Sequence, residues 1–321
     1  MKKFTLEILL HIIGVGSASG LIYNNNALLL IGDSSGFLYE YKIDDNDLKK
    51  HQLMENPTEN IAKKDKIDFE AVAYNDNDLY IFGSGSGKNR NQMVEINTKS
   101  NDTIAKTDLT NLYTSMQDFG KVKEAQFNIE GAIYDGTNFL LFNRGNGKDN
   151  RNVIFTIGGK NLINDFTILS NDFKLPKING FQSGFSDAIL VGDKIYFMAT
   201  AENSKSTTED GRILGTLIGR IDVNTMKIDF TKKISDTQKF EGITLFSQDK
   251  KTISFLLCED NDTTVLESDI YKLTLNLKNW ENYYPFDFSD CIENKKNFIK
   301  KGSRYFFCSV LLHKKHSNWR F

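Results

Sequence analysis

Five segments of this chain repeat one another, and that repeat limits its fold more than any other feature. They are SGLIYNNNALLLIGD from Ser19, FEAVAYNDNDLYIFGSG from Phe69, IEGAIYDGTNFLLFNRG from Ile129, FSDAILVGDKIYFMATAE from Phe185 and FEGITLFSQDKKTISFLLCED from Phe240. Each begins at a small or acidic residue, runs through a short apolar strand, turns at Asn, Asp, Gly or Ser, and enters a second apolar strand. The starts lie roughly 50 to 60 residues apart, a period that fits one four-stranded propeller blade. Further strand-like runs follow in the first four modules, among them FLYEYKI, QMVEIN, VIFTIG and GTLIGRIDV, each rich in β-branched or aromatic residues and bounded by turn residues.

The fifth module supplies only three strands, the last being DIYKLTL near Tyr271. An unassigned strand stands at residues 4 to 13, where Phe4, Leu6, Ile8, Leu10 and Ile12 alternate with the other face. Pairing that strand with the last blade closes the ring and removes two exposed sheet edges. The expected fold is therefore all-β, a single β-propeller of five blades over residues 1–276, with six blades as the other option. A helical insert is expected around Leu109 to Met116. Residues 277–321 break the pattern and are expected to form an atypical C-terminal extension.

The N-terminus carries a second signal, because Met-Lys-Lys, an apolar stretch and the small residues Ser17, Ala18 and Ser19 together resemble a secretory leader. Glu7 and His11 interrupt that stretch and favour the strand. Cys258, Cys291 and Cys308 are odd in number and widely spaced, which is neither a disulfide framework nor a zinc pattern. A cytoplasmic protein is expected, and a secreted one if residues 1–19 are a leader. No segment has the apolar length that spans a bilayer. The formal net charge of −2 gives no footprint for nucleic acid, and nothing in the sequence identifies a protein partner.

Propeller geometry turns the repeat into a site. The first strand of each blade begins beside the central channel, and the loop between the second and third strands returns to the same mouth. The repeat places Ser19, Glu70, Glu130, Asp187 and Glu241 around that mouth. Carboxylates brought together there repel unless a cation, a proton or basic side chains compensate them. Arginine is scarce in the chain, yet Arg90, Arg144, Arg151 and Arg212 all fall in the second-to-third-strand loops, beside Asn143. Planar, bidentate donors in those loops suit an anionic ligand. Glu70, Glu130 and Glu241 are candidate ligands for Ca²⁺, a hard cation that accepts irregular oxygen coordination. Acid and base catalysis would fall to Glu70, Glu130, Asp187 and Glu241. Asp33, Glu202, Glu259, Asp260 and Asp262 add acidity at the ends of second strands, where solvated turn positions are the commoner role. No Ser-His-Asp arrangement is present; the loops GSGSGKNR from Gly83 and NRGNGKDNR from Asn143 lack the ending of a nucleotide P-loop and read either as flexible hairpins or as backbone N–H and arginine contacts for an anion such as a phosphate or carboxylate.

The starts Glu70-Ala71-Val72, Glu130-Gly131-Ala132 and Glu241-Gly242-Ile243 resemble those of a family of uncharacterised bacterial propeller proteins over residues 1 to about 275. They are more distantly similar to esterase-like phytase and gluconolactonase-type propellers. That distant similarity implies channel acids, Ca²⁺ and hydrolysis of a phosphate ester or lactone, and it rests on Glu70, Glu130 and Glu241 alone. Asp187 departs from it in an FSDA context, and Ser19 replaces the acid. Two functions remain open: a channel-mouth ligand site with metal-assisted hydrolysis of a small anionic substrate, and a non-catalytic binding or scaffold propeller whose acid–arginine ring is structural.

Overall fold

The computed structural model describes residues 4–75, 78–100, 102–145, 151–203 and 211–277. Strand β1 (Phe4–Ile13) is followed by the first blade, β2 (Gly20–Asn24), β3 (Ala27–Ile31), β4 (Phe37–Lys42) and β5 (Asp47–Gln52). The second blade is β6 (Phe69–Asn75), β7 (Asp78–Gly83), β8 (Gln92–Asn97) and β9 (Thr103–Asp108). Helix α1 (Thr110–Gly120) leads to the third blade, β10 (Ile129–Tyr134), β11 (Phe139–Asn143), β12 (Asn152–Asn161) and β13 (Asp165–Phe173). A small hairpin, β14 (Lys177–Ile178) and β15 (Phe181–Gln182), precedes the fourth blade, β16 (Gly184–Val191), β17 (Lys194–Glu202), β18 (Ile213–Asp222) and β19 (Lys227–Ser235). The fifth blade comprises β20 (Phe240–Gln248), β21 (Thr252–Glu259), β22 (Glu267–Asn276) and, at its outer edge, β1.

The protein is thus a five-bladed propeller closed by its own first strand, with Phe4 opposite Leu275 and Ile13 opposite Glu267. The innermost strands touch in a circuit, β2 to β6, β6 to β10, β10 to β16, β16 to β20, and β20 back to β2. The expected extension at 277–321 lies almost entirely outside the described residues. Among the described residues no helix is long and apolar enough to cross a membrane.

Each blade is covered on both faces by its neighbours, and this explains the apolar runs in the middle strands. In β3, β11 and β21 nearly every residue is buried, whereas the outer strands β5 and β13 alternate between exposed and half-buried positions. Burial sorts into five clusters between adjacent blades. Between blades 2 and 3 the apolar face of α1 completes the cluster, with Leu112, Tyr113 and Met116 set against Phe127 and Phe155. Each fully buried Leu, Ile or Phe in these seams contributes about 1.5–3 kcal/mol of transfer free energy.

The closing strand departs from simple alternation. Ile8 pairs with Tyr271 and Leu10 with Ile270, so Leu9 is an extra residue, a β-bulge. One extra residue exchanges the two faces of a strand. Phe4 and Leu6 therefore pack into the seam with blade 4, while Leu10 and Ile12 pack into the seam with blade 1. Ile8, which a uniform alternation places with them, is 58% exposed. One strand thereby serves two seams.

This arrangement gives adjacent isoleucines opposite weights. Ile12 is 1% exposed and Ile13 is 73% exposed. Ile12→Ala should lower stability by about 2–4 kcal/mol through lost transfer energy and a residual cavity. Ile13→Ala should stay within about 0.5 kcal/mol of wild type. Urea unfolding followed by tryptophan-independent far-UV circular dichroism measures both, and equal effects would show that β1 does not close the ring.

Candidate functional site

The first strands of four blades share a bulge at one place. Phe69 pairs with Gly83 and Ala71 with Phe82, leaving Glu70 as the extra residue. In the same way Glu130 is extra in β10, Ser186 in β16 and Glu241 in β20. In blade 1 the ladder opens with Gly20 opposite Ile31, and Ser19 stands just ahead of it. The structurally equivalent positions are therefore Ser19, Glu70, Glu130, Ser186 and Glu241. Asp187, which the sequence repeat sets in this ring, lies one residue further on, at the place of Ala71, Gly131 and Gly242.

The two serines act on the backbone. Ser19 Oγ donates to the Phe69 carbonyl at 2.5 Å, and Ser186 Oγ donates to the Phe240 carbonyl at 2.8 Å. Each ties its blade to the residue that precedes a bulged glutamate of a neighbouring blade. In blades 3 and 5 the residue after the bulge is glycine, because the inner strands approach closely there. A Cβ at Gly131 would lie 3.1 Å from Asp187 Cα, and one at Gly242 would lie 2.5 Å from Cys258 Sγ. Asp187 Oδ2 accepts from the Ile243 N–H at 2.8 Å, while its buried Oδ1 has no hydrogen-bond partner among the described residues.

Blades 3 to 5 hold the first ion network. Arg144, buried in the loop after β11, places Nη1 3.2 Å from both Glu130 oxygens and 3.4 Å from Glu241 Oε1, and Nη2 on Glu202. Lys239 Nζ lies 2.9 Å from Glu241 Oε1 and 2.7 Å from Asp260 Oδ2. Asn128 Nδ2 donates to Glu130 Oε1 at 2.5 Å. Asn143 is turned to the backbone, accepting from the Asn128 N–H at 2.9 Å and donating to the Arg151 carbonyl at 3.1 Å.

Blades 1 and 2 hold the second network. Lys66 Nζ bridges Asp33 and Asp68, at 2.7 Å from Asp68 Oδ1. Arg90 Nη1 lies 2.6 Å from Asp68 Oδ2 and 2.7 Å from Ser86 Oγ. Glu70 makes no hydrogen bond or ion pair among the described residues. Oxygens of Asp33, Asp68 and Glu70 nevertheless come within 4.8 Å of one another, a cluster able to hold a divalent metal ion. The remaining expected arginines stand elsewhere. Arg151 pairs with Asp172 at 2.6 Å and donates to the carbonyl of Lys121 at 2.9 Å near the end of α1. Arg212 is exposed ahead of β18.

Among the described residues the charge here is out of balance. Asp33, Asp68, Glu70, Glu130, Asp187, Glu202, Glu241 and Asp260 gather against the cations Lys66, Arg90, Arg144 and Lys239. Burial pushes Glu70 well above the ordinary carboxylate range, and the neighbouring Glu130, Asp68, Glu241 and Asp33 push it further. Burial likewise raises Asp187 well above that range against the backbone N–H groups of Ile243 and Ala188. It raises Glu130 against Arg144 and Lys239, and Glu241 against Lys239. Burial also opposes ionisation of Glu202 and Asp260, but Arg144 and Lys239 outweigh it at Glu202 and Lys239 outweighs it at Asp260, so both are lowered. Glu202 and Asp260, lowered by Arg144 and Lys239, and Asp33 and Asp68, ion-paired with Lys66 and Arg90, match the four cations. Glu70, Glu130, Asp187 and Glu241 are the surplus, to be neutralised by protons or by a bound cation.

Sequence reasoning missed Lys66, Asp68, Asn128 and Lys239. The signal was local, because each of them stands within four residues ahead of a bulged glutamate. Lys66 and Asp68 precede Glu70, Asn128 precedes Glu130, and Lys239 precedes Glu241 in that way. Asp33, Glu202 and Asp260, read as solvated strand ends, are instead members of the two networks.

No curated protein matches the chain. Among solved structures it is similar to the glutaminyl cyclase of Myxococcus xanthus, at 10% identity over 84% of this chain and 97% of that one, with a TM-score of 0.48. It is also similar to the allergen Mala s 1 of Malassezia sympodialis, at 10% identity over 82% and 95% of the two chains and a TM-score of 0.47. A luciferin-regenerating enzyme is similar at 6% identity over 84% and 95%, with a TM-score of 0.43. Nothing of these proteins' activities transfers to this chain at such identities and scores. The model of a family of unknown function, DUF6929, matches residues 14–275, and with that span, which takes in the four blades that follow β1 and the three remaining strands of the fifth, the chain belongs to that family.

Proposed function

We propose that the channel mouth holds a divalent cation on Asp33, Asp68 and Glu70, with Ca²⁺ as the ion, and through it binds and hydrolyses a small anionic phosphate ester or lactone. The observation that carries this is the bare Glu70 carboxylate, which has no partner yet stands within 4.8 Å of two further acid oxygens. Oxygens on opposite sides of a Ca²⁺ ion lie about 4.6–5.2 Å apart, twice its usual oxygen distance. With the surplus of acids at the mouth, an anion has no reason to enter until a cation is present. Metal and anion are therefore expected to bind in that order.

For hydrolysis, the ion held by Asp33, Asp68 and Glu70 would supply Lewis acidity, and an ionised carboxylate of the mouth would take the proton of the water that attacks the phosphorus or carbonyl carbon. The leaving oxygen would take a proton from one of the carboxyl groups whose neutral form burial favours. Glu70, Glu130, Asp187 and Glu241 are candidates for these roles because burial raises each of them. Arg90 and Arg144 are the guanidinium groups at hand to orient an anion. The distant resemblance of the strand starts to phytase and gluconolactonase-type propellers is the ground for choosing these substrates.

A second function, a scaffold with a structural ring, is favoured by Arg144. Its guanidinium joins acids from blades 3, 4 and 5. Arg144→Met should destabilise the fold by about 3–5 kcal/mol, because buried acids lose their partner. Wild-type stability under that change would show that the network does not hold the blades.

For the metal, Ca²⁺ should raise the unfolding temperature of chelator-treated protein, since an ion at 100 times its Kd adds about 2.7 kcal/mol. Glu70→Gln should abolish the rise. Lys66→Met should tighten Ca²⁺ binding while destabilising the ion-free protein, because the lysine ammonium occupies the same seat between Asp33 and Asp68. If calcium titration calorimetry finds no heat and the unfolding temperature does not move, the metal-dependent site is rejected and the scaffold stands.

The raised acids also set a pH dependence. A carboxyl whose folded pKa exceeds its unfolded value of about 4.3 contributes stability that is full below that value and is lost as pH climbs toward the folded pKa. Ion-free protein should therefore become less stable from about pH 5 upward. Saturating Ca²⁺ should flatten that fall. Unfolding temperatures measured across this range with chelator and with Ca²⁺ test it; stability rising with pH in chelator would contradict the assignment.

A further inference from the structure

At the end of blade 1 opposite the acidic mouth, a cavity of about 350 Å³ opens among the β2–β3 turn, the β4–β5 turn and Thr98 of blade 2. We infer that this cavity binds a small neutral polyol of the saccharide class. It shares no residue with the mouth and does not depend on the function proposed there. Its volume sits at the lower end of the range of about 300–1,000 Å³ for small-molecule sites. Its lining is unlike that of most such sites, because apart from Ala27 and Leu29 it is polar. A ligand must therefore be held by hydrogen bonds.

Three consecutive amides dominate the wall. Asn24 Nδ2 donates to the Tyr74 hydroxyl of blade 2 at 2.9 Å, which fixes the carboxamide and leaves Oδ1 as an oriented acceptor. Asn25 and Asn26 carry the β2–β3 turn with φ of 48° and 63°. Two-residue hairpin turns of this left-handed kind accept Gly as readily as Asn, so the two side chains are not required by the turn. With Asn there, the rim presents two further carboxamides, each with donors and an acceptor.

The charges select against ions. Asp44, Asp45 and Glu40 line the cavity with Lys42, whose ammonium has no ion pair or hydrogen bond among the described residues. Glu40 is engaged by His51 at 3.0 Å, so Lys42 faces Asp44 and Asp45; an anion would meet both carboxylates, and a cation would have to compete with the Lys42 ammonium for them. A hydroxyl both donates and accepts. Neighbouring hydroxyls can donate to Asp44, Asp45 and Asn24 Oδ1 while accepting from Lys42 and the asparagine amides, with no net charge to compensate. That combination describes a saccharide better than an amine or a phosphate.

The test uses the ¹⁵N-labelled full chain and nuclear magnetic resonance titration with methyl α-glucoside, methyl α-mannoside and methyl α-galactoside, and with inorganic phosphate and spermidine as charged probes. At least one glycoside should shift the backbone and side-chain amide signals of Asn24, Asn25 and Asn26, and the charged probes should not. A double variant, N25G with N26G, should keep the unfolding temperature while weakening glycoside binding about three- to tenfold for each carboxamide lost. Lys42→Met should weaken binding on the same scale, and Glu70→Gln should leave it unchanged. Absence of shifts with all three glycosides, a response to phosphate or spermidine instead, or undiminished binding by the double glycine variant would each overturn the inference.

Discussion

Everything at the channel mouth rests on the pairing of β1 with β22. Without it the fifth blade is a three-stranded sheet, and both the seam with blade 4 and the seam with blade 1 lose side chains from the same ten-residue strand. The ring of inner strands holds its diameter only while all five seams are filled. Arg144 reaches acids from three blades at once, a geometry that tolerates little change in that diameter. Closure by an N-terminal strand therefore acts at a distance. It fixes the separation of carboxylates that belong to other blades.

Within the closed ring, the electrostatics divide unevenly. One half neutralises its acids with a guanidinium and an ammonium that are themselves buried, so the charges are fixed in place and their mutual attraction is little screened. The other half uses Lys66 and Arg90 on Asp33 and Asp68 and leaves Glu70 without a partner. Buried ion pairs of the first kind add more to uniqueness of structure than to net stability, since desolvation offsets most of the Coulomb gain. A bare carboxylate of the second kind adds nothing to stability. That contrast makes the blade 1–2 side the place where an incoming cation gains most.

The blades were legible because each seam demands two buried faces, and that demand writes uninterrupted apolar runs such as LLLI and FLLF into the middle strands. Closure was legible from a missing fourth strand. What the sequence hid were single-residue shifts. Ser186 and Asp187 exchange places in the ring because a bulge is a property of pairing with β17 and leaves no mark in composition. Leu9 in β1 is the same case, since FTLEILLHII gives no sign of where its alternation breaks. Glu70, Glu130 and Glu241 were recognised from their repeat, whereas Lys66 and Lys239 were passed over because lysine is common throughout the chain and reads as surface.

The bulged position has a consequence for how such a ring can change. A bulge residue stands outside the regular ladder, so its side chain is not matched to a cross-strand partner and its exchange leaves the neighbouring hydrogen bonds intact. Glutamate occupies three of the four bulged positions and Ser186 the fourth, within one backbone geometry. Blades 2 to 5 thus each offer one such slot facing a shared space. Descendants of such a ring can acquire or surrender a charge at the mouth one codon at a time without re-registering a strand, provided the buried cation that faces the slot changes with it.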